Sequence, residues 1–150
     1  MDSALYFEDF QTGQQFTSTP RVMERERLVA FAAEFDPQPQ HLSEESAAGS
    51  QFGRLVASGW HTASLTMRMQ LDVVFGFVPG GAMGAQVERL TWRRPVLPGD
   101  ELHVVVEVLG ARESKSQPLQ GVLTLRTTTI NGAGETVMEM EATVLVPRRV

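Results

Sequence analysis

One segment limits the architecture of this chain more than any other. Across residues 58–75 neither proline nor glycine intervenes after Gly59, and apolar side chains recur at helical spacing. Trp60, Ala63, Met67, Leu71 and Val74 fall on one face, while Leu65, Met69 and Val73 widen it. A helix apolar over so much of its circumference is expected to be largely buried. The second half supplies what it buries against: residues 86–93, 101–109, 120–130 and 136–146 are rich in Val, Leu and Thr. Pro98-Gly99-Asp100, a polar stretch at 110–118 and Asn131-Gly132-Ala133-Gly134 separate these runs as turns. Leu102, Val104, Val106 and Val108 share one parity, and His103 and Glu107 hold the other. Met138, Met140, Ala142, Val144 and Val146 repeat the pattern against Glu139, Glu141 and Thr143. An antiparallel sheet covered on one face follows. The predicted fold class is α+β: a single domain over residues 1–150, its antiparallel β-sheet wrapped around one long buried α-helix.

The first half is helical and carries the chemistry. Leu28, Phe31, Ala32 and Phe35 predict an amphipathic helix over 23–35, with Glu24 and Glu26 near its positive end. A short strand is expected near 15–22, and Ser43 followed by Glu44-Glu45 reads as the N-cap and first turn of a brief helix through Ala48. Between the helices lies Phe35-Asp36-Pro37-Gln38-Pro39-Gln40-His41, an acid and an imidazole five residues apart on a segment that two prolines are expected to hold extended. Proline fixes its own φ and pushes the preceding residue towards β or polyproline geometry, so the loop is stiff. A carboxylate beside an imidazole suits general acid–base chemistry. Taken alone the residues favour a plainer reading, with Asp36 ending its helix through an Asx turn and His41 a structural histidine beside Ser43.

Other chemistries are narrowed by what the sequence contains. With no cysteine, the chain has neither a disulfide framework nor thiolate catalysis nor cysteine metal ligands. His41, His61 and His103 are scattered without metal-ligand spacing. A net charge of −5 argues against general nucleic-acid binding, although Arg93-Arg94 and Arg148-Arg149 are candidate local patches for an anionic ligand as well as ordinary surface. Residues 1–9 lack a basic region followed by an apolar one, and no apolar run approaches the roughly 20 residues of a membrane helix, so a soluble cytoplasmic protein is expected. Gly80-Gly81-Ala82-Met83-Gly84 has neither the Lys-Ser/Thr nor the strand-to-helix setting of a phosphate loop, and no cofactor is implied. Ser64 lacks the glycine-flanked turn of a nucleophilic serine.

The order of these segments resembles the MaoC-like, (R)-specific enoyl-CoA hydratase and acyl dehydratase family. The resemblance rests on the helix, the Asp36 to His41 loop, the short helix with Ala47, Phe52-Gly53-Arg54-Leu55-Val56-Ala57-Ser58-Gly59 leading into the apolar helix, and Arg93-Arg94-Pro95-Val96-Leu97-Pro98-Gly99-Asp100. It spans nearly the whole chain. The family loop reads Asp, any residue, Asn, Pro, any residue, His; Asp36, Pro39 and His41 match it, while Gln38 stands in place of Asn and Ser43 where a second Asp often follows.

The resemblance implies a hot-dog fold assembled as a homodimer or higher homo-oligomer. It also implies reversible addition of water to a trans-2-enoyl thioester, giving the (R)-3-hydroxyacyl thioester on coenzyme A or an acyl carrier. Asp36 and His41 would be the acid–base pair, Gly59 would offer a helix-start N–H to the developing enolate, and Ser64 would help order the network. Gln38, Trp60, Arg93 and Arg94 are the implied substrate-binding residues. Gly59 and Ser64 have plainer roles too, as a helix-start glycine and a small packing residue. Because fold does not fix chemistry, a hot-dog thioesterase and a non-catalytic acyl-binding subunit stand as alternatives.

Overall fold

Alternating burial along the strands and one central helix organise the chain much as the sequence pattern requires. The computed structural model describes residues 3–150; Met1 and Asp2, which open the N-terminal stretch considered above, lie outside the described residues. In chain order the elements are β1 (Gln15–Thr17), β2 (Arg21–Val22), α1 (Arg25–Phe35), α2 (Glu44–Ala47), α3 (Gly59–Val73), β3 (Met83–Trp92), β4 (Glu101–Glu113), β5 (Gln120–Asn131) and β6 (Thr136–Pro147). Strand order is β1-β4-β5-β6-β3, with β2 also paired to β4, and every pairing is antiparallel. The expected strand near 15–22 is therefore two short pieces on the β4 edge.

Leu102, Val104, Val106 and Val108 are fully buried, as their parity predicts, and Met138, Val144 and Val146 join them in the core. On the opposite face Arg126 lies between Glu107 and Glu141 on the neighbouring strands, 3.8 and 3.5 Å away. With both faces and an inner helix in place, this is the hot-dog arrangement. Ser43 caps α2 as expected, its Oγ accepting from the Ser46 N–H at 3.0 Å.

The helix α3 differs from expectation in which face it buries. Its buried residues are Thr62, Thr66, Met69 and Gln70, whereas Trp60, Met67 and Leu71 of the predicted apolar face are exposed. The reason lies in the sheet, whose inward-facing Thr127 and Thr129 on β5 present hydroxyls to the helix. Thr66 and Thr129 share a hydrogen bond of 2.7 Å, and the Thr127 hydroxyl donates to Gln70 Oε1 at 2.7 Å. Buried polar groups that find each other cost little, and they fix the rotation of the helix over the sheet. α3 ends earlier than expected, at Val73, and residues 75–77 form a separate 3₁₀ turn. Gly76 allows that turn, because a Cβ there would collide with the Leu71 carbonyl oxygen.

Among the described residues, no helix is long and apolar enough to cross a membrane. The threonine pair makes a specific prediction. Thr66→Val leaves the Thr129 hydroxyl buried without a partner and should lower unfolding stability by about 1–3 kcal/mol. Thr66→Val/Thr129→Val should recover most of that loss in denaturant titrations, and additive losses would show the pair is uncoupled.

Candidate active site

The C-terminus of α1 delivers Asp36. Its N–H closes the last turn on the Ala32 carbonyl at 2.8 Å, and φ −154°, ψ 64° then takes the chain out of the helix. Gln38 is extended, as a residue before proline should be. Contrary to the expectation of an extended loop throughout, Pro39–His41 closes into a single 3₁₀ turn with Pro39 in its first turn. That turn is what makes a pair of the two residues. Five fully extended residues would separate their backbones by about 17 Å, whereas His41 Nε2 lies 3.4 Å from Asp36 Oδ2.

Each member of the pair has its other atoms committed. His41 is buried, and its Nδ1 lies 2.7 Å from the Val56 carbonyl oxygen, which can only accept. Nδ1 therefore carries a proton in either charge state, and Nε2 is the nitrogen free to exchange one. Asp36 Oδ1 accepts from Gln38 Nε2 at 2.6 Å, and Oδ2 accepts from the Ser58 hydroxyl at 2.7 Å. The Gln38 amide, the Ser58 hydroxyl and, more weakly, the charge of His41 hold the Asp36 carboxyl below the usual carboxylate range, against an opposing effect of burial. Asp36 is accordingly a carboxylate at neutral pH.

The segment before α3 aligns these groups. Val56 N–H donates to the Gln40 carbonyl at 2.9 Å, Ala57 N–H to Val96 O at 2.8 Å, and Leu55 N–H to Glu44 Oε1 at 3.0 Å. The Pro95 to Asp100 motif has a structural role of its own. Asp100 Oδ2 accepts from Leu97 N–H at 2.9 Å, and Gly99, at φ 89°, turns the chain so that its N–H meets the Met23 carbonyl.

Asp36, His41, Gly59, Trp60, Arg93 and Arg94 all line one cavity of about 400 Å³, together with Phe52, Val56, Trp92 and Val96. Gly59 opens α3, and no acceptor among the described residues takes its N–H. The Trp92 indole donates to the Gly59 carbonyl at 2.9 Å, and a Cβ on residue 59 would sit 2.7 Å from that ring. Trp60 meets Trp92 edge-on, with ring centroids 5.0 Å apart. The site is thus a predominantly aromatic and aliphatic cavity with an acid–base pair and a helix-start amide in its wall.

Four expected site residues stand differently. Ser64 is exposed, donates to the Trp60 carbonyl within its own helix at 2.8 Å, and does not line the cavity. Helical spacing explains this: a residue on the solvent side of α3 cannot also face the loop from α1. Ser58 occupies the place in the network that Ser64 was expected to fill. Gln38 borders a separate cavity and orients Asp36, its additional methylene reaching the carboxylate. Arg93 is paired with Glu139, and Arg94 with Glu135 at 3.3 Å, so neither guanidinium is uncommitted. The sequence signal that points to Ser58 is its position as a preferred N-cap type immediately before the glycine that starts α3. Trp92, on a strand with no motif of its own, carried no such signal.

The sequence profile of the MaoC like domain matches residues 9–131. The chain belongs to the MaoC-like family. Beyond the matched range, β6 completes the MaoC-like domain by lying between β5 and β3. The domain is 30% identical over 145 residues to the (R)-specific enoyl-CoA hydratase of Rhodospirillum rubrum, covering 96% of this chain and 93% of that protein. It is 33% identical over 147 residues to the 3-hydroxybutyryl-CoA dehydratase of Methylorubrum extorquens, covering 97% and 86%. Among solved structures, the MaoC-like dehydratase from Rhodospirillum rubrum superimposes with a TM-score of 0.91 at 44% identity, covering 98% of this chain and 99% of that one.

Proposed function

We propose that this MaoC-like domain adds water reversibly to a trans-2-enoyl thioester, giving the (R)-3-hydroxyacyl thioester, with Asp36 and His41 as its acid–base pair. That the chain is a hydro-lyase rests on its family and on relatives named as an enoyl-CoA hydratase and a 3-hydroxybutyryl-CoA dehydratase. The observation supporting the finer reading is the pairing of Asp36 Oδ2 with His41 Nε2 at 3.4 Å, in the wall of a cavity that also holds the Gly59 amide.

Hydration breaks one O–H bond of water and the π bond of the enoyl C=C, forms C–O at the β-carbon and forms C–H at the α-carbon. A water held between Asp36 and His41 gives a proton to the pair as its oxygen bonds the β-carbon. The displaced electron pair moves through the α-carbon onto the thioester oxygen. The Gly59 N–H, at the positive end of α3, stabilises that oxygen. The pair then returns a proton to the α-carbon, leaving the enzyme unchanged and water fully added. Asp36 is held as a carboxylate, and the Val56 carbonyl keeps the His41 ring oriented throughout. Catalytic hydrogen bonds are often long before substrate closes the site, so a separation of 3.4 Å suits a pair awaiting a bridging water.

The carrier is coenzyme A or an acyl carrier, and relatives named as an enoyl-CoA hydratase and a 3-hydroxybutyryl-CoA dehydratase favour the first. Arg93 and Arg94 reach its anionic part by loosening their pairs with Glu139 and Glu135. We place a second copy of the chain against the exposed apolar side chains of α3 and the edge strand β3, namely Trp60, Met67, Leu71, Met83 and Val87. An unpaired edge next to such a patch is the kind of surface a monomer rarely leaves open.

Two measurements test this reading. With crotonyl-CoA and longer trans-2-enoyl-CoAs, the conjugated enoyl absorbance should fall without release of free thiol. Asp36→Asn and His41→Ala should each lower the rate by about 10²–10⁴; thiol release instead would point to a thioesterase, and binding of the ester without turnover to an acyl-binding subunit. Sedimentation equilibrium should give a dimer or larger assembly that Met67→Glu/Val87→Lys dissociates, and a monomeric wild-type chain would contradict the assembly.

A further inference from the structure

We propose that Ser58 is a positioning residue of the acid–base pair, its hydroxyl holding the Asp36 oxygen that faces His41 and tying that oxygen to the start of α3. The inference rests on the hydratase reading for its kinetic consequences, while its geometry stands without it. Ser58 is fully buried, so no solvent molecule replaces its hydroxyl freely. Its Oγ–H donates to Asp36 Oδ2 at 2.7 Å, and the same oxygen accepts from the Trp60 N–H at 3.3 Å. The bond to Asp36 is the tighter of the two, which sets Ser58 apart from a serine that only caps its helix.

The oxygen Ser58 holds is Oδ2, the one 3.4 Å from His41 Nε2. Oδ1 has its own donor in Gln38, so the carboxylate cannot rotate to compensate for the loss of one partner without giving up the other. His41, on the Pro39–His41 turn, is the titratable group that faces Asp36. α3 contributes no charge there, only the Ser58 hydroxyl, and among the described residues no arginine or lysine pairs with Asp36. Neutral donors therefore set the position of the carboxylate and do most to hold its pKa down. Through Ser58, which directly precedes Gly59, the oxygen that handles the proton is tied to the residue whose amide is offered to the enolate.

Removing the hydroxyl should therefore disturb proton transfer more than binding. In Ser58→Ala, kcat should fall about tenfold while KM stays within about twofold, the pattern of an interaction that matters in the transition state. Losing a donor to the carboxylate raises the pKa of Asp36. The acid limb of kcat/KM, where activity disappears as pH falls, should move to higher pH. Ser58→Cys, with a weaker donor of similar size, should lie between wild type and Ser58→Ala, and carries both readouts if the alanine variant does not fold.

A ¹³C NMR titration of the Asp36 carboxyl in the free protein separates this inference from the hydratase reading, since it needs no substrate. An upward shift of that titration in the variants is the expected result. An unmoved Asp36 titration, or a loss confined to KM or to the thermal midpoint with the acid limb in place, would overturn the role given to Ser58. Wild-type protein inert towards every enoyl thioester would sink the hydratase reading and leave the titration to decide Ser58.

Discussion

The buried segment Leu55 to Ser58 is the constraint on which the site depends. It has no regular secondary structure, yet its backbone and Ser58 together reach the end of α1, the Pro39–His41 turn and the turn before β4. Val56 donates to Gln40 and accepts from His41, Ala57 donates to Val96, and Ser58 donates to Asp36. Buried backbone outside a helix or sheet must satisfy its polar groups through such cross-connections. Here those obligatory bonds orient the imidazole, anchor the turn before β4 and join the end of α1 to the start of α3. The requirement to satisfy a buried loop and the requirement to hold an acid beside a base are met by the same bonds.

How Asp36 is held follows from the kind of donors around it. Asp72, by contrast, is held by two arginines, Arg21 at 2.6 Å and Arg68 at 3.3 Å. Asp36 is held by an amide and a hydroxyl. A neighbouring guanidinium would compete with His41 for the carboxylate, whereas neutral donors leave Oδ2 facing the imidazole. The arginines nearest the cavity, Arg93 and Arg94, are turned to glutamates on β6 and the turn preceding it.

Much of this was legible in the sequence, for identifiable reasons. Strand alternation in 101–109 and 136–146 reports a sheet with one covered face, because period two has a direct geometric meaning. The Asp36 to His41 spacing stood out because proline restricts conformation strongly enough to be read locally. The rotation of α3 was not legible, since its buried face carries Thr62, Thr66 and Gln70, and only the opposing Thr127 and Thr129 make that face cheaper to bury than Trp60 and Met67. The choice between Ser58 and Ser64 depended on that same rotation. Nor does local sequence show that Arg93 and Arg94 find Glu139 and Glu135, which are more than forty residues distant in the chain.

The central claim is that one pair, Asp36 Oδ2 and His41 Nε2, handles both proton transfers from one side of the substrate. Hydration of a trans-2-enoyl thioester in deuterated water tests it most directly, because the α-deuterium records where its proton came from. With a donor and an acceptor 3.4 Å apart, the new deuterium and the new hydroxyl should be added to the same face of the double bond in a single diastereomer. Addition to opposite faces, or a mixture of the two products, would require a second proton donor across the cavity and would contradict the account.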